Sequence, residues 1–196
     1  NLNVSKFGPR LAGSGGFIDI SQNAKKVVFV GTFTAGNLDV AIDNGQLRIL
    51  EDGKAAKFVN EVEHRTFSGP EAARRGKEVV YITERCVFRL TAQGVQLTEI
   101  APGVDLQKDI LDKMAFRPII DGQPALMDAR IFRNEAMGIR PELLDKPLDE
   151  RLAFDPAQTL FFLDFSGLNV RSAEDIRRIE AAVDAALDPI GHKVKA

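Results

Sequence analysis

The chain has 196 residues, of which 44% are hydrophobic and 28% charged, and its 26 basic and 28 acidic side chains leave a net charge of −2. This length and composition predict one soluble globular domain, or one domain with a small appendage, that buries a real core. The charge balance excludes the broad basic surface with which proteins bind nucleic acids or anionic membranes.

Cysteine content and hydropathy further narrow the class of protein and its compartment. The single cysteine, Cys86, excludes an internal disulfide framework and indicates a reducing compartment, so we expect a cytoplasmic protein. Cys86 lies in an apolar run, which favours an inert buried thiol over a nucleophile. We expect no signal peptide and no membrane-spanning segment. Because the chain begins at Asn1 without Met, we interpret it as a piece of a longer polypeptide.

A glycine cluster lies near the start of the chain. Gly13, Gly15 and Gly16 fall within four positions, and Phe17 closes the cluster. Backbone amides without side chains can hold a phosphate or a developing negative charge, but the same residues equally suit a tight turn between strands. The apolar residues at 18–20 then predict a strand.

The next elements are strands. The apolar run 26–33 predicts a strand that is buried on both faces, as in a parallel sheet. Two shorter runs, 38–42 and 47–49, flank Asn44-Gly45, the dipeptide that most strongly favours a two-residue hairpin. Residues 58–67 predict a further, irregular strand.

A second strand-and-hairpin pattern follows a short predicted helix at residues 71–75, which Gly76 ends. Its predicted strands are 77–82, 86–90 and 95–100. Asp105 then caps a predicted helix with one apolar face. That face comprises Leu106, Ile110, Leu111 and Met114.

The composition of the chain changes after residue 116. Five of the nine prolines fall within residues 117–156, so we expect an extended connector with short helical turns. Residues 160–165 predict a strand. Ser172 and Asp175 resemble a capping box at the start of an amphipathic helix, which Asp188-Pro189 with Gly191 ends. With a possible strand at 193–195, this forms a β-α-β unit that ought to dock on something larger.

Few polar residues indicate chemistry. His64 is interpreted as a hydrogen-bonded structural residue, with an active-site role as the alternative. His192 has no partner pattern, and two distant histidines with one cysteine predict no metal site. Glu84 follows a predicted buried strand, where α/β proteins often carry functional groups, but a salt bridge with Arg85 or a role at a helix is favoured. The chain contains no nucleophile elbow, P-loop or dinucleotide fingerprint.

Four segments together carry a family resemblance. Residues 4–8, running into the glycine cluster and residues 18–20, are similar to a GxGGF element and to a related GMGGAMDL element. Residues 27–36 and 62–64 are similar to two further segments, and residues 81–88, leading into 97–105, are similar to ITEKAVF. In this order they span roughly residues 1–116. The chain resembles the family I coenzyme A transferases of the acetate/propionate type, with both halves on one polypeptide.

The resemblance implies an α/β protein with a three-layer α/β/α CoA-transferase (NagB/RpiA-like) domain that is incomplete at its N-terminus. Residues 1–116 would be part of the second transferase domain, 117–156 a connector and 157–196 a β-α-β extension. In this family, a glutamate attacks the acyl-CoA and forms a mixed anhydride and then a glutamyl-CoA thioester. An incoming carboxylate takes the CoA, so that coenzyme A moves between a short-chain acyl-CoA and a carboxylate.

The resemblance also implies a site for coenzyme A. The amides of Gly15 and Gly16 would face the thioester and the pantetheine arm, and Gly13 and Phe17 would shape the loop. Coenzyme A and acyl-CoA are then substrates, and no tightly bound cofactor is expected. Expected partners are the small acyl-CoA and carboxylate molecules. We expect no nucleic acid and no membrane, and either a homo-oligomer or completion by the missing N-terminal portion.

The chain departs from the family at the nucleophile. The family's glutamate lies in a Glu-x-Gly motif upstream of the glycine cluster, and no residue before Gly13 is acidic. The tripeptide Glu51-Asp52-Gly53 follows a predicted hairpin strand, so we expect it in a solvated turn and assign it no role. The family's GGIG-like oxyanion element is also absent. We therefore predict no catalytic residue in this chain and no activity of the chain alone.

Two other functions stay open. The missing nucleophile motivates a non-catalytic binding or assembly module derived from the same fold, which would associate through an exposed sheet or connector surface and would not bind coenzyme A. A sugar-phosphate isomerase of the same fold is a third hypothesis, and the GxGGF and ITE matches argue against it.

Overall fold

A computed structural model describes residues 1–190, and contacts divide the chain into two units, Asn1–Ala136 and Met137–Ala196. The strands of the first unit are β1 (Lys6–Phe7), β2 (Arg10–Leu11), β3 (Lys26–Val30), β4 (Thr34–Ala35), β5 (Asp39–Asp43), β6 (Gln46–Glu51), β7 (Ala55–Ala56), β8 (Glu78–Ile82), β9 (Cys86–Thr91), β10 (Gly94–Ile100) and β11 (Ala125–Leu126). Its helices are α1 (Phe17–Asn23) and α2 (Gly69–Arg74). The predicted α/β class is confirmed, and the division at 116/117 and 156/157 stays a prediction.

A five-stranded mixed sheet organises the first unit, in the order β11-β10-β9-β8-β3. Strands β3 and β8 are parallel, with Val27 opposite Val79 and Phe29 opposite Tyr81. Strands β8, β9 and β10 alternate in direction, and β11 joins β10 in parallel. Because β3 and β8 are parallel neighbours, their carboxyl ends meet at one edge of the sheet.

Two hydrophobic clusters pack against this sheet. The smaller cluster includes Val79 of β8 and Ala72 of α2, and Phe17 of α1 packs against it. The larger cluster includes Phe88 of β9 and Leu47 of the β5–β6 hairpin. Helices α1 and α2 therefore contribute to the smaller cluster, and the hairpin contributes to the larger one.

The β5–β6 hairpin forms where the sequence predicts it. Asn44 and Gly45 connect the strands with φ of 50° and 79°. Positive φ at both central residues defines the type I′ turn, which Asn-Gly accommodates without strain. The predicted helix at 71–75 and the three predicted strands between 77 and 100 are also confirmed.

The strand predicted at residues 18–20 is wrong, because helix α1 occupies Phe17–Asn23. The alternating Ile-Asp-Ile pattern suggested a strand, but Ile20 is 72% exposed. The contacts instead follow helical spacing, since Phe17 packs against Phe29 and Ser21, one turn later, is buried.

The strand predicted at 26–33 is shorter than expected and is not buried on both faces. Strand β3 ends at Val30, and Phe33 is buried in the turn that follows it. Val28 and Val30 are 46% and 77% exposed. The physical reason is that Val28 and Val30 share a face of β3 that is left open, whereas Phe29 points to the other face and packs against a hydrophobic cluster.

The strand predicted at 58–67 is also wrong, because these residues form bends and a single bridge between Leu2 and Phe67. The Asp105 cap is confirmed, with its carboxylate accepting the Lys108 amide at 2.7 Å. The element that follows is a π-helical turn at Leu106–Ile110 and a 3-10 turn at Leu111–Lys113, rather than an α-helix.

The second unit contains strands β12 (Leu152–Asp155) and β13 (Leu160–Leu163) and helices α3 (Ile139–Leu144) and α4 (Ala173–Leu187). The predicted strand, helix and capping box are confirmed. Strand β12, inside the predicted connector, was not predicted, and it pairs antiparallel with β13. Helix α4 ends at Leu187, directly before the predicted stop at Asp188-Pro189. Gly191, His192 and the strand predicted at 193–195 lie outside the described residues.

Arg151 is a buried side chain of the second unit, at 4% exposure. Its guanidinium donates to the backbone carbonyls of Lys146 at 2.8 Å and Ser166 at 2.5 Å, and also to that of Leu144. Because a buried polar group must find hydrogen-bond partners, these contacts fix the turns around the β12–β13 hairpin.

Candidate functional site

The glycine loop, residues 13–16, connects β2 to α1 and is open to solvent. Gly13, Gly15 and Gly16 are exposed, and Gly15 has a φ of +51°. A Cβ atom on Gly13 or Gly15 would meet nothing within 4 Å. Within the described chain, none of these three amides donates a hydrogen bond to another protein group. The loop therefore presents free backbone donors, with open space beside the Cα atoms of Gly13 and Gly15.

Phe17 anchors the far end of the glycine loop. Its ring lies 5.7 Å from that of Phe29, and Phe29 in turn lies 5.2 Å from Phe67 and 5.4 Å from Tyr81. Such aromatic contacts add to the stabilisation that burial provides. Phe17 consequently supports the loop from the hydrophobic cluster beneath it.

The near end of the loop is held by a second set of contacts, which we call the clasp: the hydrogen bonds between residues 2–8 and residues 63–67. The Gly8 amide donates to both carboxylate oxygens of Glu63 at 2.9 and 3.1 Å. The Ser5 hydroxyl and His64 Nδ1 share a hydrogen bond of 2.5 Å. Thr66 completes the clasp by accepting the Val4 amide at 3.1 Å. The hydrogen-bonded role favoured for His64 is thus confirmed.

A cavity of about 480 Å³ lies beside the carboxyl ends of β3 and β8, the edge at which open α/β sheets usually bind ligands. Gly31 and Thr32 line it after β3, and Thr83 lines it after β8. Lys57 Nζ donates to the Thr32 carbonyl at 2.5 Å. The glycine loop does not line this cavity, but Phe29 both lines it and contacts Phe17.

Glu84 and Arg85 stabilise the turn beyond the carboxyl end of β3. Arg85 Nε donates to Glu84 Oε1 at 2.8 Å, and Glu84 Oε2 accepts the Phe33 amide at 2.8 Å. The favoured salt-bridge role of Glu84 is confirmed. The Arg85 side chain is fully buried, and its Cζ lies 4.9 Å from the Phe33 ring centroid.

The expectation that Glu51-Asp52-Gly53 forms a solvated turn is wrong. Asp52 accepts hydrogen bonds from Arg85 at 2.5 Å and from Lys113 at 2.9 Å. Burial would raise the pKa of Asp52, but these two cations outweigh it and hold the pKa below its ordinary value. A Cβ on Gly53 would lie 2.6 Å from the Ala35 carbonyl oxygen, so the tripeptide is packed as a structural element. The sequence around Asp52 does not reveal this ion pair, because its partner Arg85 lies 33 residues further along the chain.

The Cys86 thiol is buried, as predicted. It has no exposure, and burial raises its pKa to about 12. Residues 1–190 contain no group of three or more histidine, cysteine or acidic side chains that could hold a metal ion. Across those same residues, no helix combines the length and the apolar character needed to cross a bilayer.

Known proteins resemble the chain in sequence. The acetate CoA-transferase YdiF of Escherichia coli (strain K12) is 53% identical over 143 residues, which are 72% of this chain and 27% of that protein. The caffeate CoA-transferase of Acetobacterium woodii is 49% identical over 144 residues, again 27% of its length. Over the matched residues, the chain corresponds to part of a CoA-transferase. The resemblance inferred from the four segments is confirmed, although no family model matches the chain.

Solved CoA-transferase structures share the fold. A thioester complex with CoA of the acyl-CoA transferase YdiF from E. coli O157:H7 gives a TM-score of 0.69 at 54% identity, covering 70% of this chain and 27% of that one. Its apoenzyme gives a TM-score of 0.68. The CoA-transferase fold class is therefore confirmed. The chain spans about a quarter of the length of the relatives it matches.

Proposed function

We propose that the chain is part of a CoA-transferase that moves coenzyme A between a short-chain acyl-CoA and a carboxylate of the acetate/propionate class. The observation that carries this proposal is the 53% identity to an acetate CoA-transferase over 143 residues. The structural relative solved as a thioester complex with CoA supports coenzyme A as the ligand.

In this proposal, the glycine loop is the part of the chain that contacts coenzyme A. The Gly15 and Gly16 amides, which have no partner among the described residues, donate to the thioester oxygen and the pantetheine arm. Gly13 leaves room for the ligand, and Phe17 sets the direction in which the loop leaves the core. Free, preorganised amides suit an oxygen that becomes negative when a thioester is attacked.

The nucleophile in this proposal is a glutamate upstream of this chain. A carboxylate is a weak nucleophile, so covalent catalysis through glutamyl-CoA requires that it be positioned against the thioester and removed from water. The chain supplies the coenzyme A side of such a site and not the attacking group. The chain alone is therefore inactive in this proposal, with acyl-CoA and carboxylate as its small-molecule partners.

The mechanism is tested on the longer polypeptide that contains this chain. After incubation with acetyl-CoA, mass spectrometry of its peptides would reveal a CoA adduct on one glutamate upstream of the glycine loop. Replacing that glutamate with glutamine should abolish both the adduct and transferase activity. A longer polypeptide without an upstream glutamate, or one that turns over without an adduct, would contradict the proposal.

The alternative, a non-catalytic assembly module, is supported by one observation. Val28 and Val30 of β3 are 46% and 77% exposed on a strand at the edge of the sheet, where unpaired backbone groups favour association. This alternative predicts self-association that is independent of coenzyme A. Sedimentation with and without acetyl-CoA, together with a binding titration, distinguishes the two functions.

A further inference from the structure

Among the described residues, the backbone hydrogen bonds of the glycine loop are local: the Ser14 carbonyl accepts from the Phe17 amide and the Gly16 carbonyl from the Ile20 amide, both at 3.0 Å. Nothing lies within 4 Å of a Cβ placed on Gly13 or Gly15, and the loop amides donate to no group of the described chain. The placement of the loop therefore depends on its two ends. Phe17 anchors one end through its packing on Phe29.

The other end is the β1–β2 hairpin. Gly8 lies at its turn with a φ of +57°, and Leu11 ends β2 two residues before Gly13. The Ala12 amide donates to the Ser5 carbonyl at 2.6 Å, which ties the exit of the hairpin to its entry. A shift of the hairpin is consequently passed to the glycine loop through one residue, Ala12.

Only two residue pairs, Lys6 with Leu11 and Phe7 with Arg10, make up this hairpin, and a hairpin of this size has little stability of its own. The clasp supplies the stability that the hairpin lacks. Glu63 accepts the Gly8 amide with both carboxylate oxygens, and charge-assisted hydrogen bonds of this kind are the stronger class. His64 holds Ser5, which is 2% exposed, at 2.5 Å.

We propose that Glu63 and His64 are positioning residues that set the glycine loop for coenzyme A. They act through Gly8 and Ser5 and do not touch the ligand. This inference rests on the proposed function for its ligand, but its structural part is measurable without any ligand.

Glycine amides report on the loop directly. Selective ¹⁵N-glycine labelling gives at most sixteen amide signals, one for each glycine of the chain. In Glu63→Ala, the Gly8 signal loses its charged acceptor and moves, and the signals of Gly13, Gly15 and Gly16 move with it. Glu61→Ala is the matched control, because Glu61 is exposed and has no partner among the described residues. Its loop signals should coincide with those of the unaltered chain, and in both variants the Gly45 and Gly94 signals should stay in place.

Coenzyme A binding gives the second measurement. Titration with acetyl-CoA should show about a threefold to tenfold weaker affinity for Glu63→Ala at an unchanged unfolding temperature. Glu63→Gln retains one acceptor oxygen and should recover part of that loss, and His64→Ala should weaken binding in the same sense.

Two outcomes separate this inference from the proposed function. If Glu63→Ala moves only the Gly8 signal and leaves the loop signals as in Glu61→Ala, the positioning role is overturned even where acetyl-CoA binds. If the loop signals move but the unaltered chain does not bind acetyl-CoA, the link from the clasp to the loop stands and the ligand assignment fails.

Discussion

Arg85 Nη2 donates to Asp52 Oδ1 at 2.5 Å, and the Arg85 side chain has no exposed surface. Asp52 follows the second strand of the β5–β6 hairpin, whereas Arg85 lies between β8 and β9. The Arg85 Nη1 atom also donates to the Asp109 carbonyl at 2.9 Å. One buried guanidinium thus joins the hairpin, the central sheet and the π-helical turn.

Replacing Arg85 with methionine should lower the free energy of unfolding by about 3–5 kcal/mol, because the carboxylates of Glu84 and Asp52 lose their buried partner. Chemical denaturation measures this loss. Arg89→Met is the matched control, since Arg89 pairs with Glu78 at the surface and an exposed pair contributes little. Equal stability of Arg85→Met and Arg89→Met would contradict the structural role of Arg85.

The Tyr81 hydroxyl is the buried side-chain polar atom that lacks a hydrogen-bond partner among the described residues. Tyr81→Phe removes that oxygen and keeps the ring stacked on Phe29, so it should raise the free energy of unfolding by about 1 kcal/mol. Tyr81→Leu, which also removes the ring, should lower it. Chemical denaturation measures the free energy of unfolding of both variants. A Tyr81→Phe variant less stable than the unaltered chain would mean that the hydroxyl has a partner.

Alkaline pH should destabilise the fold through Cys86 and Tyr81. Burial raises the pKa of Cys86 from 9.0 to about 12 and that of Tyr81 from 10.0 to about 12. A raised pKa means that the folded state disfavours the charged form. This stabilisation is complete below the unfolded pKa values and is lost as pH rises towards 12.

Denaturation measured at a series of pH values should therefore show stability falling from about pH 9 upwards. The double variant Cys86→Val/Tyr81→Phe should show a shallower decline, because it lacks both groups. In the unaltered chain, alkylation of Cys86 should follow unfolding. Rapid alkylation of the folded chain would contradict the burial of this thiol.

Local sequence signals predicted the elements whose causes are local. Asn44-Gly45 forms its hairpin because the two residues themselves accept positive φ, and the Ser172 cap depends on a neighbour three positions away. The glycine loop was likewise located from the sequence, since its glycines are adjacent. The ligand proposed for the loop comes from its resemblance to a family element, because the residues alone do not specify a ligand.

The wrong secondary-structure predictions concern residues whose contacts are distant in sequence. Residues 18–20 alternate like a strand, but packing of Phe17 on Phe29 selects a helix. The irregular segment containing Glu63 and His64 reads as a strand because its apolar residues are intermittent, whereas its partners are Gly8 and Ser5, more than fifty residues earlier. Such pairings depend on tertiary structure, which no local pattern encodes.

The central claim is that the glycine loop binds coenzyme A. Calorimetric titration of acetyl-CoA into the chain and into Gly16→Val tests this claim most directly. A Cβ at Gly16 would meet only Ile20 Cδ1 at 3.5 Å, so the variant should fold normally while its side chain obstructs the ligand. Gln22→Val places the same side chain on an exposed position of α1 and serves as the control. We expect saturable binding to the unaltered chain and to Gln22→Val, and at least tenfold weaker binding to Gly16→Val, on the order of 1.4 kcal/mol or more. Equal affinity of all three proteins, or no binding to any of them, would contradict the claim.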